Sequence, residues 1–236
     1  HNHRSGYGYV NYPDENEKEY SPENDGVWLF NIASGGKELL CRLNDLKLLN
    51  YSNNMDNSFH YINHLSFNPS GSKLLFYHLW YSPKGRWCIP YVYDMDKGSV
   101  KEISLMHKAS HYTWLDNDQI LIYSKENNVF NYHLYNLVNN EFRTIGSDLL
   151  IEDGHPTFLK NGNLLTDSYP DKYGYLKLIK FKNDKIDILG KFHLANKYQG
   201  EVRCDLHPSV SFSGEYCAVD FMYKGNRAIS IINLYD

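Results

Sequence analysis

A chain of 236 residues with 42% apolar and 15% aromatic residues has ample material for a core, which excludes a disordered chain. Its formal charge of −4 provides no basic field for nucleic acid or an anionic membrane. No run approaches the roughly 18 apolar residues of a membrane helix, so no membrane insertion is expected. Tyr, at 21 residues, suits half-buried strands and sugar-facing clefts. The four Cys (Cys41, Cys88, Cys204, Cys217) contain no CxxC pair and read as reduced thiols.

Residues 1–24 are polar and turn-rich, and the acidic run Asp14-Glu15-Asn16-Glu17 reads as a solvated loop. Strands are predicted at 27–32 and 38–43, around the Gly35-Gly36 turn. Residues 44–63 form a connector in which Leu46, Leu48 and Leu49 suit one short helical turn. From His64 the pattern becomes regular. Strands are expected at 64–67, 73–79, 90–94 and 99–104, then at 111–115, 119–124, 130–137 and 141–145. A third set falls at 156–159, 163–167, 174–181 and 185–189, and a fourth at 208–212, 216–221 and 227–234.

A histidine opens or directly precedes each set: His64-Leu65-Ser66-Phe67, His111-Tyr112-Thr113-Trp114, His155-Pro156-Thr157-Phe158 and His207-Pro208-Ser209-Val210. These histidines are spaced 47, 44 and 52 residues apart, and the seventh residue after each is Gly71, Asp118, Gly162 or Gly214. Self-similarity at about 40–50 residues marks a propeller or solenoid. Four-stranded antiparallel units in tandem, with no amphipathic helix between them, predict an all-β propeller. The expected organisation is one propeller with a partial blade at 1–43 and blades at 64–104, 111–146, 155–190 and 207–236. The last unit lacks a fourth strand and the first lacks its inner strands. More blades are therefore expected before His1, seven in all, with a five-bladed ring as the alternative.

In a propeller the first strand of each blade lines the channel, which would bring His64, His111, His155 and His207 to its mouth. Second strands return to the same rim with His78, Asp167, Tyr169, Asp220 and Tyr223, and the following loops add Arg86, Asp171, Lys172 and Arg227. A histidine at a blade's start also serves simply to hydrogen-bond neighbouring backbone, and that role remains open for each of the four. His60, His107, His133 and His193 fall outside the register and are expected at the surface. Cys41, Cys88 and Cys217 read as small buried apolar residues. Cys204 and Asp205 stand beside His207 in one loop, and with His155 from the preceding blade they form a candidate metal set. Asp205 equally suits a loop cap. Imidazole with thiolate favours Zn²⁺ over Mn²⁺.

The segments Ser110-His111-Tyr112-Thr113-Trp114, Gly154-His155-Pro156-Thr157-Phe158 and His207-Pro208-Ser209-Val210, with its tail to Leu234, resemble the oligogalacturonate lyases. These are seven-bladed propellers that cleave pectic fragments by β-elimination. The resemblance implies a channel manganese held by three His and a Gln, with another His as base. By position, His155 and His207 look like two of the ligands and His111 like the base, while His64 and His78 match histidines of the preceding blade. Val202 and Asp205 stand where that family has Gln-x-x-His. The chain is also similar to bacterial propellers related to ulvan lyases, which use His, Tyr and Arg and can carry zinc.

β-Elimination beside a carboxylate needs a base, a positive group and an acid. His111 suits the first. A metal or Arg86 suits the second, with Arg4, Arg203 and Arg227 as alternatives, and Tyr112 or Tyr169 suits the third. His64, His78 and Arg227 are expected to bind the oligosaccharide. The other reading is a non-catalytic propeller holding a glycan or protein partner, its metal structural. No phosphate loop, GxSxG or HExxH motif supports a nucleotide-binding or hydrolase reading.

Overall fold

The computed structural model describes residues 16, 18–103 and 108–234. Of the acidic run only Asn16 falls within them, and His107 falls outside them. The chain is all-β, built of antiparallel blades arranged as a β-propeller. It divides into two compact units between Lys108 and Ala109.

The first unit opens with a hairpin of β1 (Gly26–Phe30) and β2 (Lys37–Arg42), followed by α1 (Leu43–Leu49) and a 3₁₀ turn at Asn53–Met55. The predicted helical turn is thus present and starts three residues earlier than Leu46, because Leu43 and Leu46 share the buried face. A four-stranded blade follows: β3 (Phe59–Phe67), β4 (Lys73–Ser82), β5 (Gly85–Asp94) and β6 (Ser99–Glu102). β4 is almost continuously apolar and almost continuously buried, as a strand covered on both faces must be. Phe76, Trp80, Ile89 and Tyr91 pack there with Val27, Leu46 and Met55 of the preceding segment.

The second unit holds two four-stranded blades and one of three strands. The first comprises β7 (Ala109–Trp114), β8 (Gln119–Glu126), β9 (Val129–Asn136) and β10 (Phe142–Ile145). Next come β11 (Thr157–Phe158), β12 (Leu164–Asp167), β13 (Tyr175–Lys182) and β14 (Lys185–His193), then β15 (Ser209–Val210), β16 (Tyr216–Tyr223) and β17 (Asn226–Asn233). β11 neighbours both β7 and β15, so the first strands of these three blades stand side by side.

Three of the four repeated turns share one physical cause. Gly71, Gly162 and Gly214 have φ of 75°, 79° and 82°, and their N–H groups donate to the carbonyls of Asn68, Leu159 and Ser211 at 3.0, 2.9 and 2.9 Å. Only glycine enters that backbone region without a steric penalty. The β7–β8 turn lacks the glycine and uses Asp116 instead, whose carboxylate accepts the N–H groups of Asp118 and Gln119, each at 2.8 Å.

Three histidines expected to be solvent-accessible are in the core. His60 is 4% exposed, His78 is fully buried and His133 is 1% exposed. His60 Nε2 lies 3.0 Å from the Met55 carbonyl and its Nδ1 lies 2.8 Å from His78 Nε2. Pairing of this kind lets two neutral imidazoles be buried against Trp80, where a lone polar ring would not be tolerated. His133 Nδ1 is 3.3 Å from the Thr144 hydroxyl, and its ring packs edge-on against Phe142. His193 is exposed, as expected.

Candidate functional site

The inner strands are irregular where the register histidines fall. In β7 the pairing with β8 shifts between Ala109 and Tyr112, which places His111 on a bulge. β11 and β15 are two residues each, and His155 and His207 stand just before them, His207 with φ of 43°. Bulges and strand ends re-aim side chains, and here they bring three imidazoles into one row. The ring centroids of His111 and His155 are 4.2 Å apart, and those of His155 and His207 are 3.9 Å apart.

Each ring is oriented through Nδ1. His155 Nδ1 lies 2.9 Å from both carboxylate oxygens of Asp167. His111 Nδ1 lies 3.1 and 3.2 Å from those of Asp153, and His207 Nδ1 is 3.1 Å from the Asp205 carbonyl. Carbonyl and carboxylate oxygens only accept, so in the neutral ring Nδ1 carries the hydrogen and Nε2 the lone pair. Asp167, almost wholly buried, also accepts the backbone N–H of His155 at 2.6 Å and of His207 at 3.1 Å. Burial alone would raise the Asp167 pKa. The His155 hydrogen bond and charge, with the two backbone N–H groups, outweigh it, and the carboxyl is held below its ordinary value. The His207 pKa is lowered, first by burial and then by the neighbouring His155, which keeps the ring neutral as a metal ligand must be.

One donor atom each from His155, Asp205 and His207 lies within 4.8 Å of the others, a spacing that suits a cation. The Asp205 carboxylate meanwhile accepts Arg203 Nε at 2.7 and 3.0 Å and Nη2 at 2.7 Å. The Arg203 guanidinium stands over the Tyr169 ring at 4.6 Å, and Tyr169 meets His155 edge-on at 6.2 Å. Burial, chiefly, pushes the Tyr169 phenol up to about 12, so it keeps its proton at neutral pH. Arg227 Nη2 donates to the Arg203 carbonyl at 3.0 Å.

His111, His155, Asp205, His207 and Tyr169 of the expected set are therefore assembled together, and Arg227 supports the loop behind them. Cys204 is not with them. It is 4% exposed and packs with Leu206, Cys217 and Val219, and burial raises its thiol pKa, so the proposed thiolate ligand is a protonated core residue. Tyr112 lies in β7 opposite Ile122. Arg86 is exposed in β5 of the first unit, opposite Tyr81. In the same unit His64 sits at a bulge with φ of 54° and stacks on Tyr77 at 5.4 Å. His78, expected to bind substrate, is closed off from solvent by the β4–β5 core. Asp153 went unrecognised in the sequence, although it precedes Gly154-His155 directly. Asp167 was expected only as a rim residue, with no link to either histidine.

No protein-family model matches the sequence, and no curated protein matches it. Solved structures do resemble it. TolB from Acinetobacter baumannii matches with a TM-score of 0.55 at 17% identity, over 88% of this chain and 46% of that one. An oligogalacturonate lyase in complex with manganese matches with a TM-score of 0.59 at 14% identity, over 88% and 53%. A post-proline cleaving enzyme from Rickettsia typhi matches with a TM-score of 0.50 at 11% identity, over 84% and 31%. The chain spans about half the length of the first two of these structures. Likenesses at such identity establish the β-propeller fold alone, and a propeller hosts many chemistries.

Proposed function

We propose that the row of His111, His155 and His207 is a divalent-metal and acidic-sugar site, and that the protein is a lyase cleaving uronate-containing glycans by β-elimination. The observation that carries this reading is the second layer behind the row. Asp153, Asp167 and the Asp205 carbonyl each orient one imidazole through Nδ1, which is how ligating and basic histidines are held. His155, His207 and Asp205 would hold the cation. With Cys204 in the core, the donors are two imidazoles and a carboxylate, so the case for zinc made on sulfur falls away and zinc and manganese both fit. When bound, the metal would neutralise the substrate carboxylate as a Lewis acid.

The protein's own groups supply the rest. His111 takes the proton beside the carboxylate through Nε2, its ring braced by Asp153. The electrons left behind form the carbon–carbon double bond as the glycosidic C–O bond breaks, and Tyr169 gives its proton to the departing oxygen. Arg203 replaces Arg86 as the cation beside this chemistry. The manganese in the similar lyase structure accords with the reading. A second reading, a glycan-binding propeller without catalysis, is favoured by one feature: Arg203 already fills the Asp205 carboxylate. Incubation with uronate oligosaccharides separates the two. Absorbance near the ultraviolet edge from an unsaturated product supports the lyase. Binding without that absorbance supports the second reading.

A further inference from the structure

Asp167 reaches two histidines of the row, His155 and His207. It ends β12, yet it receives the backbone N–H and Nδ1 of His155 and the backbone N–H of His207, residues 12 and 40 positions away. β11 and β15 are too short for their ladders to fix the turns before them. The chain is also shaped to let Asp167 reach. A Cβ on Gly154 would lie 2.1 Å from the Asp167 carbonyl oxygen and 2.6 Å from the Thr166 hydroxyl, so only glycine lets the His155 loop close onto β12.

We propose that Asp167 is a positioning residue that sets both histidines at once, fixing His155 as the Nδ1–H tautomer and tying the His155 and His207 backbones to one carboxylate. The proposal rests on the row being a metal site. It predicts that Nε2 of His155 carries the lone pair before any metal arrives. An isosteric Asp167→Asn change leaves one acceptor for the two backbone N–H groups, which reach different oxygens, and turns its NH2 toward the other and toward Nδ1. That moves the ring hydrogen to Nε2, where it blocks ligation, the tautomer error such substitutions cause when they stand behind a functional histidine.

The test has two arms. In ¹⁵N spectra of the metal-free protein at neutral pH, wild-type His155 should show a protonated Nδ1 and Asp167→Asn should reverse it. Titration with Zn²⁺ alone should then show a loss of affinity of about 10–100-fold in the variant. A wild-type His155 protonated on Nε2 overturns the proposal without any variant. So does an Asp167→Asn protein that folds, by circular dichroism, with tautomer unchanged. If the tautomer reverses as expected but wild-type protein takes up no Zn²⁺, the role of Asp167 stands and the metal reading of the row fails instead.

Discussion

Arg203 and Asp205 form a forked pair, with Nε on one carboxylate oxygen at 2.7 Å and Nη2 on the other at 2.7 Å. The arginine side chain is 39% exposed and the carboxylate 8%. An ion approaching His155 and His207 therefore meets a carboxylate already neutralised by a guanidinium. Arg203→Ala should leave that carboxylate buried without its partner, at a cost of about 1–3 kcal/mol. The lower end applies, since solvent screens the partly exposed guanidinium. Zn²⁺ should then raise the melting temperature of the variant more than that of wild type. Equal shifts in thermal melts with and without Zn²⁺ would show that Asp205 does not face the ion.

His111 stands beside the candidate ligands without belonging to their group. His111→Ala should lower turnover on uronate oligosaccharides about 10²–10⁴-fold while leaving Zn²⁺ uptake intact. His207→Ala should lose the metal as well. Parallel loss of both properties in the two variants would remove the distinction between base and ligand.

The buried His60–His78 pair predicts a weakness to acid in the first unit. Burial, and then the neighbouring His60, lowers the His78 pKa to about 3 from the ordinary 6.5, and burial lowers that of His60 too. A depressed folded-state pKa means the unfolded chain binds the proton first. The stabilisation is complete above 6.5 and declines as pH falls toward 3. Between pH 6.5 and 5, His78 alone should account for about 2 kcal/mol of lost stability. Denaturant unfolding at several pH values should show this slope in wild type and a flatter one in His78→Phe. An unchanged slope in that variant would assign the acid sensitivity elsewhere.

Gly154→Ala should act through the same contact that lets the His155 loop seat on β12. With 2.1 Å to the Asp167 carbonyl, the backbone must move and both His155–Asp167 hydrogen bonds lengthen. Zn²⁺ affinity is expected to fall by at least the factor expected for Asp167→Asn, about 10–100-fold, with a lower melting temperature. Wild-type affinity in Gly154→Ala would show that the loop finds another seat.

The blades were legible because both of their signals are local. Alternating or continuous apolar runs mark β4, β8 and β12, and a turn residue seven positions after each histidine marks the first hairpin. The row was legible in part, since the shared register implied that His111, His155 and His207 stand on adjacent inner strands. Their partners were not. Asp153 lies 42 residues from His111 in sequence, and Asp167 serves His207 across 40. No periodicity encodes such pairings. Cys204 and His78 were misplaced for a related reason. A loop's inward side and a strand covered on both faces follow no alternation that would separate core from rim.

The two-residue inner strands β11 and β15 have a consequence for how the protein tolerates change. Their blades are held by the long ladders of β12 to β14 and of β16 with β17, whereas the histidine row is held by side-chain carboxylates. Asp167 alone serves both, since it ends β12 and also holds His155 and His207. Positions 203 and 205 lie in the loop before β15, outside every ladder, so a paired exchange of this arginine and carboxylate is the change at the row that touches the blades least.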